Sequence, residues 1–133
     1  MAKKKDNLIT VGKRKRAIAR VMVKNGEGKF TVNGQTPKEY FGNHPAMLKK
    51  IMAALELTGN IGKKDINVNV RGGGLAGQAD AVAHAISRSL AKTKETVRKT
   101  LKTAGMLSRD SRIKESKKYG RKKARKRFQF SKR

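Results

Sequence analysis

The sequence predicts an α+β fold: a mostly antiparallel sheet with helices on one face, long enough for a modest two-layer core, followed by a long basic C-terminal extension. Three observations predict it. Apolar residues alternate with polar ones in the first quarter of the chain and again over 66–70, the period of half-buried strands. Apolar residues at helical spacing run through 47–55 and 75–90, the stripe of a helix packed on a core. Hydrophobic periodicity then stops after Leu107. Strands that precede helices suggest α+β layering. The expected organisation is a flexible basic N-terminus over 1–8, a globular domain over 9–107 and an extended basic tail over 108–133.

The elements follow in order. VGKRKRAIARVMVKNGEGKFTVNG reads as sheet. Within it Ala17, Ala19, Val21 and Val23 share one face and Ile18, Arg20 and Met22 the other. Asn25-Gly26-Glu27-Gly28 supplies turn chemistry, so Phe30-Thr31-Val32 is expected to pair back as a hairpin. A connector over 35–42 carries Tyr40 and Phe41. Pro45 suits the first position of a helix, with Asn43 or His44 before it. Met47, Leu48, Ile51, Met52 and Leu55 form its stripe, and Gly59 stops it. Ile66, Val68 and Val70 alternate with Asn67, Asn69 and Arg71 as a strand, with a parallel neighbour allowed by the intervening helix. A second helix over 77–92 is expected to bury Leu75, Ala79, Val82, Ile86 and Leu90. A third, capped by Thr93 or Thr96, carries Val97 and Leu101 and closes at Gly105.

Charge sets the function class. The 133 residues hold 35 Lys or Arg against 9 Asp or Glu, a net +26. Residues 109–133 contribute thirteen cations and two acids, +11 in total. So dense a charge repels itself and cannot be buried, and Ile113, Tyr119, Ala124, Phe128 and Phe130 are too few to offset the entropy of ordering it. The tail therefore calls for a polyanion. Twenty-five extended residues reach up to ~80 Å at ~3.3 Å each. Phosphates supply affinity, and Phe128 and Phe130 offer faces to unpaired bases. Lys13-Arg14-Lys15-Arg16 is a second basic cluster beside the first strand, expected in a loop or at a sheet end.

Other chemistry is sparse. The chain has no cysteine and two histidines, which excludes disulfides, thiolate sites and a typical zinc site. No apolar run approaches the ~20 residues that span a bilayer, and no apolar region follows the basic start, so no secretory signal is expected. His44 reads as a helix cap, and His84 as pointing away from the core. Residues 72–77 satisfy glycine spacing for a nucleotide loop, but Gln78-Ala79 replaces the Lys-Ser/Thr that such a loop needs. A phosphate contact beside Arg71, or tight-turn geometry, is preferred to catalysis. A histone-like architectural binder and a nucleotide-dependent kinase remain as rivals.

VGKRKRAIARV, GEGKFTVNG, Tyr40-Phe41, VNVRGGGLAGQADAVAHAISRSL, GMLSRDSR and KKARKRFQFSKR together resemble the bacterial type of the universal small-subunit ribosomal protein S-nine family, over residues 9–133. The resemblance implies a two-layer α/β sandwich like the second domain of ribosomal protein S-five, with a left-handed crossover. That fold class includes small-molecule kinases with a glycine-rich loop, which accounts for the look of residues 72–77. It implies a structural, non-catalytic protein without a cofactor. Its partners would be small-subunit rRNA in the subunit head, the anticodon stem-loop of P-site tRNA and neighbouring head proteins, with no membrane. The expected place is the cytoplasmic ribosome ahead of an organellar one. Ser131, Lys132 and Arg133 would face tRNA. Lys13, Arg14, Lys15, Arg16, Arg71, Arg109, Arg112, Lys117, Lys118, Arg121, Lys122, Lys123, Arg125, Lys126 and Arg127 would contact rRNA. The chain departs from the family pattern at Ala83 and Ser116, where a basic residue is common, and at Lys13, where arginine is common.

Overall fold

A computed structural model describes residues 9–42, 44–108 and 119. Eight elements follow one another: β1 (Ile9–Arg14), β2 (Ala17–Asn25), β3 (Phe30–Val32), α1 (Pro37–Tyr40), α2 (Pro45–Thr58), β4 (Lys64–Arg71), α3 (Leu75–Ala91) and α4 (Glu95–Thr103). They build an α+β domain around a four-stranded mixed sheet of order β1-β2-β4-β3. β1 and β4 flank β2 antiparallel, while β3 runs parallel to β4.

The expected alternation holds. Ala17, Ala19 and Val21 on β2 and Ile66, Val68 and Val70 on β4 are buried, whereas Ile18, Arg20, Asn67, Asn69 and Arg71 are exposed. The registers Ala19↔Val70 and Val21↔Val68 stack the buried set on one face, and α3 covers that face. Among the described residues no helix covers the other face, where Ile18, Arg20, Asn67, Asn69 and Arg71 are exposed.

The expected hairpin between β2 and β3 is overturned, because β4 lies between them. The Gly26–Lys29 loop serves instead as a bracket across the start of β4. Asp65 accepts the N–H groups of Gly28 and Lys29, each at 3.0 Å, and Gly26 N–H donates to the Lys63 carbonyl at 3.1 Å. A side chain on Gly26 would collide with the Asp65 carboxylate. These bonds, chiefly that from Lys29 and then that from Gly28, hold the Asp65 carboxyl below its ordinary range, against an opposing effect of partial burial. A carboxyl depressed on folding stabilises above its unfolded pKa of ~3.9, and the contribution is lost as pH falls through the folded value. The expected result is an acid-dependent fall in the urea midpoint below pH ~5 that is smaller in Asp65→Asn. Identical pH profiles for the two proteins would contradict it.

α2 starts at Pro45 with His44 as its N-cap and ends at Gly59, as the sequence predicts. His44 caps through its backbone alone: its carbonyl accepts Leu48 N–H at 3.1 Å, and its ring makes no cap bond. The connector before α2 contains α1, whose N-cap Thr36 accepts Glu39 N–H at 3.3 Å. α4 is capped by neither threonine expected. Its N-cap is Lys94, while Thr93 donates to the Leu90 carbonyl at 2.6 Å.

α3 differs most from its single predicted stripe. Ala79, Val82, Ile86 and Leu90 are fully buried, but Leu75 is 41% exposed at the first turn. Ala81 and Ala85 form a second buried surface against Gly12 of β1. The helix lies between the sheet and α2 and α4, so it is buried around most of its circumference, Gln78, Ser87 and Ser89 included. His84 is half-buried rather than outward: its Nε2 lies 3.1 Å from the Leu107 carbonyl.

Candidate nucleic-acid interface

The β1–β2 connection is a two-residue turn, Lys15-Arg16, closed by the pair Arg14↔Ala17. Strand alternation therefore divides the four-cation run. Lys13 lies on the open face of the sheet. Arg14 lies on the helix-covered face, where its Nε is 3.6 Å from Asp80 and its side chain is only 15% exposed. Lys15 and Arg16 are exposed at the tip. Lys15 has φ 52°, a left-handed conformation uncommon for a long side chain. Such strain persists only where the surroundings over-determine it.

Here the surroundings are the glycine loop. Gly72 has φ 75°, and a Cβ on it would lie 2.5 Å from the Arg16 carbonyl oxygen. Gly73 approaches Ala17 N almost as closely, at 3.1 Å from its ideal Cβ. Glycine is thus required so that the loop backbone can brace the basic turn. Gln78 holds the loop from behind: its Nε2 donates to the Gly72 carbonyl at 3.1 Å, and Tyr40 donates to its Oε1 at 2.8 Å. Of the two readings preferred for this segment, tight-turn geometry is what these contacts describe.

Registers Lys13↔Ile18 and Ile18↔Arg71 place Lys13 and Arg71 on either side of Ile18. One pleat further along, Val11↔Arg20 and Arg20↔Asn69 put Arg20 on the same face. The open face thus presents three cations around an isoleucine that is 43% exposed, with Asn67 and Asn69 beside them. Arg20 was not singled out as a binding residue from the sequence, although its alternation with Ile18 carried the signal. A further basic surface was also missed. Lys94, Arg98, Lys99 and Lys102 are exposed on α4, while Leu101 is buried and Val97 half-buried. The stripe of Val97 and Leu101 could have revealed it, because every other face of so short a helix must be solvated.

Arg109, Arg112, Lys117, Lys118, Arg121, Lys122, Lys123, Arg125, Lys126, Arg127, Ser131, Lys132 and Arg133 lie outside the described residues. Ser116 does too. Ala83, another departure from the family pattern, lines a cleft beside His84 and Asp80.

This geometry is that of a scaffold with basic surfaces rather than a catalytic pocket. Residues 12–133 match the family model described as Ribosomal protein S9/S16. The chain belongs to this ribosomal protein family. It is accordingly a structural constituent of the ribosome and not an enzyme. Similar proteins include the small ribosomal subunit protein uS9 of Syntrophobacter fumaroxidans, 52% identical over 122 residues that cover 92% of this chain and 93% of the relative. That of Anaeromyxobacter sp. strain K is 50% identical over 94% of this chain and 95% of its own. That of Cytophaga hutchinsonii is 46% identical over 95% and 98% respectively. Within the described domain, exposed cations gather at the braced turn, on the open sheet face and on α4. Among the described residues no helix is long and apolar enough to cross a membrane.

Proposed function

We propose that this protein is a structural component of the small ribosomal subunit that binds rRNA in the subunit head and contacts P-site tRNA with its C-terminus. The observation that carries the rRNA reading is the braced basic turn. Lys15 and Arg16 are held out at a strained tip, with Lys13 and Arg71 flanking Ile18 at the same end of the sheet. Cations carried on a braced backbone engage phosphates at a lower ordering cost than cations on a mobile loop. The thirteen cations of residues 109–133 supply the larger share of charge. On this reading Arg109, Arg112, Lys117, Lys118 and the basic residues of 121–127 follow the rRNA path. Ser131, Lys132 and Arg133 approach the anticodon stem-loop. The finer fold assignment, a sandwich like the second domain of ribosomal protein S-five, belongs to the same proposal. The β3-α1-α2-β4 connection between parallel strands supports it. Neighbouring head proteins complete the set of partners, on the ribosome of the cytoplasm.

The test separates the two RNA roles. Deleting residues 131–133 is expected to leave incorporation into small subunits unchanged and to weaken P-site tRNA binding about tenfold, the ~1.4 kcal/mol of a charge-assisted contact or two. Filter binding of tRNA to purified subunits reads the effect. Normal tRNA retention by the truncated subunits would overturn the tRNA role and leave the rRNA role standing.

A further inference from the structure

The strand that leads into the basic turn and the last described residues before the basic tail border one cleft. It lies among α2, α3, the end of β1 and the segment that follows α4. Lys13 and Arg14 of β1 and Lys50 of α2 line it together with Asp80 of α3, and so does Ser108. His84 anchors the segment after α4 by its 3.1 Å contact with the Leu107 carbonyl. Ser108, the residue that precedes 109–133 in the chain, is part of the cleft wall.

We propose that the cleft is a binding site for one phosphodiester group of RNA, at the root of the tail. The inference rests on the RNA reading above and adds a site that it does not contain. Lys13 carries its side chain on the open face of the sheet, so among the described residues Arg14 and Lys50 are the cations that border the cleft, against the Asp80 carboxylate. Asp80 holds both in place: Lys50 Nζ lies 3.3 Å from its Oδ1, and Arg14 Nε lies 3.6 Å from its Oδ2. One carboxylate shared by two cations leaves net positive charge while limiting the motion of both side chains. An incoming phosphate then pays less ordering entropy than it would at free lysines. The Lys50 side chain remains 59% exposed, so its ammonium retains donors for a second partner. The volume of the cleft, about 360 Å³, admits a phosphate with its ribose. An RNA strand seated here runs from the tail root towards Lys15 and Arg16, giving a continuous cationic track in place of two isolated clamps.

The test uses the full-length protein and a small-subunit rRNA transcript, with filter binding measured across a KCl series. Lys50→Gln changes one exposed helical position to a residue of similar helix propensity, so the fold is retained. It is expected to lower affinity about three- to tenfold and to reduce the slope of log affinity against log salt by about 0.7 to 0.9, the loss of one phosphate contact. Lys63→Gln is the control. Lys63 is exposed just before β4, at the opposite end of the sheet from the turn, and its substitution is expected to change neither quantity. An unchanged slope in Lys50→Gln, with wild-type binding intact, overturns the cleft alone. Equal losses in the two variants overturn it too, because they would show undirected charge. Absence of wild-type binding overturns the RNA reading itself and the cleft with it.

Discussion

Gly12→Ala is expected to destabilise the domain severely. Gly12 is buried in β1 directly beneath α3. A Cβ there would overlap the Ala81 carbonyl oxygen and lie 2.5 Å from Ala85 N and 2.9 Å from the Ala85 methyl. Two of these atoms belong to helix backbone, which cannot swing aside as a long side chain can. Relief requires β1 to move off α3, exposing Ala81, Ala85 and Ile86, all fully buried. Overpacking in a well-packed core costs ~1–3 kcal/mol where side chains can yield, and more where backbone must shift. Against a total stability of ~5–15 kcal/mol, about 4 kcal/mol is the expected loss. A urea titration followed by circular dichroism measures it. Gly34→Ala is the comparison, since a Cβ at Gly34 meets nothing within 4 Å and only the left-handed backbone, φ 81°, resists it. Equal midpoints for Gly12→Ala and wild type would refute the close approach of β1 to α3.

Removing residues 109–133 is expected to cut rRNA affinity by several orders of magnitude while leaving domain stability almost unchanged. The deletion takes away thirteen cations and two acids. If roughly 10 of those cations meet phosphates, the slope of log affinity against log salt falls by about 9 for duplex RNA or 7 for single strands. The loss is thus far greater at low salt than at high. Among the described residues the buried apolar core runs from Ala17 to Leu101, which is why the thermal midpoint of the truncated domain should stay close to that of the full chain. Salt-dependent binding and thermal melts on the same two proteins check both halves. A truncated protein that retained the full salt slope would place RNA binding in the domain instead.

Several features were readable from the residues alone because they depend on local periodicity. Alternation on β2 and β4 assigned Ala17, Ala19, Val21, Ile66, Val68 and Val70 to one face, and the folded sheet buries all six. Pro45 and Gly59 marked the ends of α2 because proline lacks a donor that the first turn does not use and glycine tolerates a left-handed stop. The quoted segments also carried the family, since charge, turns and core faces coincide in one order. The division of residues 13–16 could be worked out only once the turn was placed, because a one-residue change of register exchanges the two faces.

Composition and period by themselves determined that this chain is a polycationic α+β protein, which faces of β2 and β4 turn inward, and where α2 begins and ends. Tertiary structure alone decided that β4 separates β2 from β3, that Gly12 admits α3 to the sheet, that the glycine loop braces Arg16, and that Lys50, Asp80 and Ser108 share a cleft with Arg14. The physical reason is range. A side chain's face follows from its immediate neighbours along the chain. Strand partners and clefts depend on contacts between residues some 30 to 70 positions apart, such as Asp65 with Gly28 and Arg14 with Asp80, and many such pairings satisfy the same local pattern until packing selects one.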